Sequence, residues 1–183
     1  MAFNILKEPL EGLKVIEPDV FGDHRGFFME MWNKNHFEAI GLNLDLFQDN
    51  LSFSQQGILR GLHFQAPPYG QGKLVTVLEG QVLDVVVDIR TTSPTYGQHF
   101  AIELSRKNHL MVYIPPGFAH GFLVQSATAL FHYKVSNSGY SRESEGGIPW
   151  NDPTLNIAWG IENPVLSEKD KMYTAFDSFE SPF

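Results

Sequence analysis

The chain has no cysteine, which removes disulfides, thiolate zinc sites and cysteine nucleophiles together and fits a reducing compartment. It also has no run of Lys or Arg: 13 basic residues are scattered against 21 acidic ones, a formal net charge of −8. The mean field of such a chain repels polyanions. Nucleic acid and membrane surfaces are therefore not expected partners, and only a small anion held by a few local cations fits. Long apolar runs are missing too, since no segment approaches the ~20 residues that cross a bilayer. The N-terminus MAFNILKEPLEG lacks both the basic start and the apolar stretch of a signal sequence, so the expected location is cytoplasmic. No internal repeat or low-complexity tract breaks the chain.

What is present points to β structure. At 183 residues, 43% hydrophobic and 19% charged, the chain is long enough for one well-filled core and is read as a single domain, 1–183. Its 15 Phe, 6 Tyr and 3 Trp suit pleated, half-buried surfaces. Short apolar runs recur at even spacing: FAIELS (100–105), HLMVYIPPG (109–117), HGFLVQS (120–126) and ALFHYKVS (129–136). That spacing predicts an antiparallel sandwich or barrel. KLVTVLEGQVLDVVVDI (73–89) reads as two strands joined as a hairpin around Glu79-Gly80. Helix is scarce: a short one is expected from Asn33 as N-cap to Gly41 as stop, and another after Ser167. The expected arrangement is N-terminal strands and a helix over about 1–58, a barrel core over about 59–136, and a loop-rich segment with a short helix over about 137–183.

Strand parity sorts the polar residues. In ALFHYKVS, Tyr133 shares a face with Phe131 and Val135, which points it inward, whereas His132 and Lys134 point out. Lys73 shares parity with Val75 and Val77 and so enters the interior at the first position of its strand. Strict alternation in ILRGLHF places Arg60 and His63 on opposite faces, and a bulge at Gly61 would turn both to one side. Asp84 and Asp88 share a face; if it is interior, a buried carboxylate needs a partner, and His120 is a candidate for Asp84.

Two chemistries compete for these residues. His63 and His120 on neighbouring strands suggest a metal. A barrel metal site, however, wants more ligands than two imidazoles, and Gln65 stands where the next one would be. Each histidine also has a structural reading: His63 as a half-buried strand residue bonded to a neighbour, and His120 as a turn-end residue bonded to a carbonyl. Without a metal, His63, Lys73, Tyr133 and Arg60 suit removal of a proton α to a carbonyl. His63 would be the base, Lys73 the cation at the enolate oxygen and Tyr133 the acid; base and acid on opposite sides of the carbon would invert it. Asp170 has two readings: part of a capping box with Ser167, or the carboxylate that orients a histidine.

The segments VFGDHRGFFMEMWN, FQDNLSFSQQGILRGLHFQ, GKLVTVLEGQVLDVVVDIRTTSPTYGQ, IPPGFAHGF and WNDPTLNIAW followed by LSEKD resemble, in order and spacing, the nucleotide-sugar epimerases of the dTDP-4-dehydrorhamnose 3,5-epimerase family. The similarity runs from about Pro18 to Asp170. It implies an all-β, cupin-like jelly-roll barrel with short peripheral helices and no metal or other cofactor. It also implies a homodimer with exchanged N-terminal strands, and a dTDP-4-keto-6-deoxyhexose as substrate on the route to dTDP-L-rhamnose for lipopolysaccharide or cell-wall polysaccharide. Carried over, His63 is the base with Asp170 as its dyad partner, Tyr133 the acid and Lys73 the enolate cation. Arg25, Glu30, Gln48, Asn50, Arg60, Lys73, His120, Glu145 and Lys169 are implied to bind substrate. Family members commonly place aromatics soon after the Asn that follows the Tyr133 strand; here Ser138 and Gly139 intervene, leaving Tyr140 to stack on the base from a shifted position. The alternatives are a sister enzyme inverting only C3 or only C5, a metal-dependent cupin oxygenase, and a non-catalytic sugar-nucleotide-binding barrel.

Overall fold

The computed structural model describes residues 2–136 and 139–183; Ser138, at the departure from the family pattern, lies outside them. The first strands are β1 (Phe3–Lys7), β2 (Lys14–Pro18), β3 (Val20–Asp23) and β4 (Gly26–Met29), followed by helix α1 (Lys34–Ala39). Then come β5 (Leu46–Gln55), β6 (Leu59–Gln65), β7 (Lys73–Glu79), β8 (Gln81–Asp88) and β9 (His99–Ser105). The last are β10 (Met111–Ile114), β11 (Phe118–Val124), β12 (Thr128–Ser136) and β13 (Glu145–Gly147), before two 3₁₀ turns at Lys169–Lys171 and Phe176–Ser178. The strands form a six-stranded sheet in the order β1-β2-β10-β7-β12-β5, a five-stranded sheet in the order β13-β6-β11-β8-β9, and the separate hairpin β3-β4. This is the all-β antiparallel sandwich that the spacing predicts. No helix among the described residues is long and apolar enough to cross a membrane.

The sandwich closes because alternate residues of both sheets meet in one core. Val75, Val77 and Phe131 from the six-stranded sheet pack against Val82, Val86, Phe118, Phe122 and Val124 from the other. Each such side chain contributes roughly 1.5–3 kcal/mol on burial. The opposite parity of the five-stranded sheet, including Leu62, Phe64, Val85, Val87 and Leu123, is covered by Ile148, Leu155, Trp159 and Phe176 of the C-terminal segment. Both faces of this sheet are therefore dry, which explains the unbroken VVV of β8. On the outside of the six-stranded sheet, Phe37 of α1 is fully buried beside Phe3, Ile16, Leu74 and Met111. The Asn33 side chain caps α1 by accepting from the Asn35 and His36 amides, and Gly41 ends it with φ +82, as its sequence predicts.

One expectation is overturned. Residues 73–89 do not form a hairpin: β7 pairs with β10 and β12, while β8 pairs with β9 and β11 in the other sheet. The chain turns a corner at Gly80, whose φ is +80 and where a Cβ would lie 2.0 Å from the Thr128 carbonyl oxygen. The two strands thus pack face to face across the core instead of edge to edge. Two strands rich in β-branched residues bury more surface as interior strands of two packed sheets than as a shared pair.

Candidate active site

A cavity of about 480 Å³ opens between the sheets and is lined by Arg60, His63, Lys73, His120, Tyr133, Lys169 and Asp170, with Phe122, Phe131, Leu59 and Val165 among its apolar walls. Parity explains the inward side chains. Tyr133 and Lys73 sit on adjacent strands of the six-stranded sheet, with Tyr133 opposite Val75 and Lys73 opposite Val135. His63 and His120 are direct cross-strand partners in the five-stranded sheet. Tyr133 and His63 therefore come from opposing walls.

The irregularity at Gly61 is found. Phe122 pairs with Arg60 and His120 with His63, so two residues of β6 oppose the single Gly121. The extra residue puts Arg60 and His63 on one side, both in the cavity lining. Gly61 has φ +130, and a Cβ there would lie 2.5 Å from the Gly121 Cα. Glycine is required on both counts.

Asp170 reaches His63 because the C-terminal segment is stitched to the start of β6. Leu59 N–H donates to the Val165 carbonyl at 3.0 Å, and Val165 N–H donates to the Gly57 carbonyl at 2.8 Å. The 3₁₀ turn over Lys169–Lys171 then presents Asp170 Oδ1 at 2.5 Å from His63 Nε2. Asp170 is 4% exposed. Ser167 Oγ accepts from the Asp170 amide at 3.3 Å, but the reciprocal capping box does not form: the turn starts from Glu168 without a side-chain cap, and the Asp170 carboxylate serves the histidine. Burial works to raise the Asp170 pKa, but the hydrogen bond and charge of His63, helped by Ser167 and Lys169, outweigh it and leave the group below the ordinary carboxylate value.

The other polar groups differ in environment. Burial pushes the Lys73 ammonium down to about 8, against the pull of Asp84 and then Glu145. Burial raises the Tyr133 phenol above its usual value, with Arg60 pulling the other way and Glu145 adding to the rise. His120 Nε2 lies 2.8 Å from Asp84 Oδ2, the pairing suggested by their shared interior face. Arg60 Nε donates to Ser54 Oγ at 3.1 Å. Glu145, on edge strand β13, accepts from Lys169 Nζ and from the Tyr140 hydroxyl at 2.8 Å. Gln48 donates to Asn50 at 2.8 Å, and Asn50 pairs with Tyr133 across β5 and β12.

Of the residues expected to bind substrate, Arg60, Lys73, His120 and Lys169 line this cavity, whereas Gln48, Asn50, Glu145, Arg25 and Glu30 do not. Arg25 forks onto Asp23, and Glu30 accepts from Asn33 at 3.0 Å and contacts His36 Nδ1 at 2.6 Å; both belong to the β3-β4 hairpin and its exit. No group of three His, Asp or Glu side chains among the described residues is placed to hold a metal. The contributions that residue-type reasoning misses are the apolar floor, Phe122 and Phe131 stacked 4.1 Å apart, and Tyr173, whose ring meets His63 edge-on at 6.0 Å. The floor shares parity with His120 and Tyr133 and could have been found that way. Tyr173 lies outside any strand, and no sequence pattern marks it.

The dTDP-4-dehydrorhamnose 3,5-epimerase family model matches residues 7–178. A dTDP-4-dehydrorhamnose 3,5-epimerase of Shigella flexneri is 50% identical over 168 residues, covering 91% of this chain and 92% of that protein. A dTDP-4-dehydrorhamnose 3-epimerase of Streptomyces niveus is 41% identical over 163 residues, covering 88% of this chain and 78% of that one. The crystal structure of a dTDP-6-deoxy-D-glucose-3,5-epimerase from Legionella pneumophila, in complex with dTDP-4-keto-L-rhamnose, superposes with a TM-score of 0.92 at 46% identity, covering 97% of this chain and 95% of that one. With its fold and its sequence matching over nearly its whole length, the chain belongs to the dTDP-4-dehydrorhamnose 3,5-epimerase family.

Proposed function

We propose that this chain is an isomerase that inverts C3 and C5 of dTDP-4-keto-6-deoxy-D-glucose on the route to dTDP-L-rhamnose. The observation that carries the reading is the placement of His63 and Tyr133 on opposing sheets across one cavity, with Lys73 beside Tyr133. A carboxylate only accepts, so His63 Nε2–H donates to Asp170 and Nδ1 is left as the base. His63 takes the proton from the carbon α to the C4 ketone, and the C–H electron pair moves into the enolate. The new oxyanion is met by the Lys73 ammonium in a water-poor site, where a fixed charge counts for more than in water. Tyr133, held protonated by burial, returns a proton to the other face, and the phenolate and imidazolium are reset by proton exchange. The same groups act at C3 and at C5.

Arg60, His120, Gln48, Asn50, Glu145 and Lys169 bind the nucleotide sugar around this centre, and Tyr140, 61% exposed at the rim, stacks on the base. Arg25 and Glu30 act from a partner copy in a homodimer built by the N-terminal region, about 1–58 of the single domain. This is supported by the exposed Phe21, Phe27 and Phe28 of the hairpin and Phe47, Leu51 and Phe53 of the edge strand β5, apolar surface of the kind that marks an interface. The enzyme needs no cofactor and works in the cytoplasm, supplying lipopolysaccharide or cell-wall polysaccharide synthesis.

The Streptomyces niveus relative makes single-carbon inversion the second reading. Turnover in deuterated water, followed by NMR, separates the two: deuterium enters both C3 and C5 of dTDP-4-keto-6-deoxy-D-glucose under the first reading. Label confined to one carbon establishes the second.

A further inference from the structure

Three carboxylates face or underlie the cavity, and two are already committed: Asp170 to His63, and Glu145 to Lys169 and Tyr140. The third, Asp84, is fully buried on the inner face of β8 between Val82 and Val86, opposite Phe122 on one side and Ile102 on the other. Its Oδ2 meets His120 Nε2, and its Oδ1 has no hydrogen-bond partner among the described residues. A carboxylate so placed costs stability unless charge compensates it, and one imidazole contact is a thin return. Lys73 is directed into the same space from the opposite sheet and makes no direct ion pair among the described residues.

We propose that Asp84 is a positioning residue for the reaction, fixing the His120 imidazole with one oxygen and providing, with the charge of the other, the through-space counter-ion of the Lys73 ammonium. The surrounding charges leave it that role. Arg60 and Lys169 are cations facing the same cavity and cannot serve as counter-ions; His63 and Tyr133 are its titratable neighbours, and Asp170 is engaged by His63. Of the groups that act on the buried ammonium, Asp84 holds it charged more strongly than Glu145 does. With Asp84 neutral, Lys73 loses its proton at lower pH and the enolate loses its cation, while the cavity keeps its shape.

The consequence for turnover rests on the epimerase reading; the consequence for Lys73 does not. The test is Asp84→Asn, compared with wild type by the pH profile of kcat/KM and by NMR titration of Lys73 in ¹⁵N-lysine-labelled protein without substrate, the signal assigned with Lys73→Met. Both the alkaline limb and the Lys73 titration are expected to move down by about one pH unit, making the variant about tenfold slower above that range; Asp84→Glu restores both. A folded Asp84→Asn protein with an unmoved Lys73 titration overturns the proposal. If the variant does not fold, wild type decides: Lys73 neutral at pH 7 with Asp84 in place overturns it, and Lys73 charged there supports it. Absence of any epimerase activity would instead count against the functional reading, with the Lys73 titration still reporting on Asp84.

Discussion

Two histidine–aspartate pairs stand side by side in the five-stranded sheet, and they are built differently. His63 and His120 are cross-strand neighbours. His63 finds its aspartate 107 residues away, on a short turn that closes over the cavity; His120 finds its own 36 residues away, on the adjacent strand β8. The His63 side chain is 27% exposed and that of His120 is 7%. A base that must pick up and release protons needs a face toward substrate and solvent, whereas a histidine that only binds substrate can be held more deeply by its aspartate. Under the proposed function, the same chemical pair transfers protons where it is more exposed and only positions groups where it is sealed.

The comparison can be broken most sharply at the rim pair. His63→Ala is expected to lower turnover by about 10² or more, the scale of a lost general base. Asp170→Asn, which keeps the imidazole but removes the charge that orients it, should cost roughly tenfold to a hundredfold. Equal losses for His120→Ala and His63→Ala in steady-state assays would erase the distinction between the pairs.

A smaller effect lies in the pH profile. The active form of Lys73 is the ammonium, and its pKa is lowered to about 8, so kcat/KM should decline as pH rises through about 8, far below the ordinary lysine range. A profile flat to pH 10 would remove Lys73 from the charge-stabilising role.

The smallest expected effect is on acid stability. The folded-state pKa of Asp170 is below its ordinary value; its contribution to stability is complete above the unfolded carboxylate pKa and is lost as pH falls through the lowered value. Thermal melts from pH 6 down to pH 3 should therefore fall less steeply for Asp170→Asn than for wild type. Identical slopes would mean that the His63 contact contributes nothing to folding.

How far these features can be read in advance depends on the distance over which they are encoded. Tyr133 and Lys73 are placed inward by period-two alternation alone, and α1 by its Asn33 cap and Gly41 stop, because both are local backbone geometry; for Asp84 alternation gives only the shared face, not which way it points. The Gly61 bulge was legible as a conflict between parity and chemistry, and the register between β6 and β11 resolved it. The corner at Gly80 was misread as a hairpin because a tight positive-φ turn serves either purpose; whether its strands pair or face each other is set by which neighbours cover them. The service of Asp170 to His63 was likewise open, since a capping box and a dyad draw on the same residues.

The amino-acid sequence by itself determined which side chains point into the β sandwich, where the chain turns, and, through its ordered motifs, the family. Tertiary structure alone decided which sheet each strand joins, that His63 and Tyr133 face each other across a gap, that the β3-β4 hairpin keeps Arg25 and Glu30 away from this cavity, and that one Asp84 oxygen has no hydrogen-bond partner among the described residues. Alternation is imposed residue by residue by the backbone, while sheet partition and charge pairing depend on contacts between segments as much as 107 residues apart, whose energies appear only when the core closes.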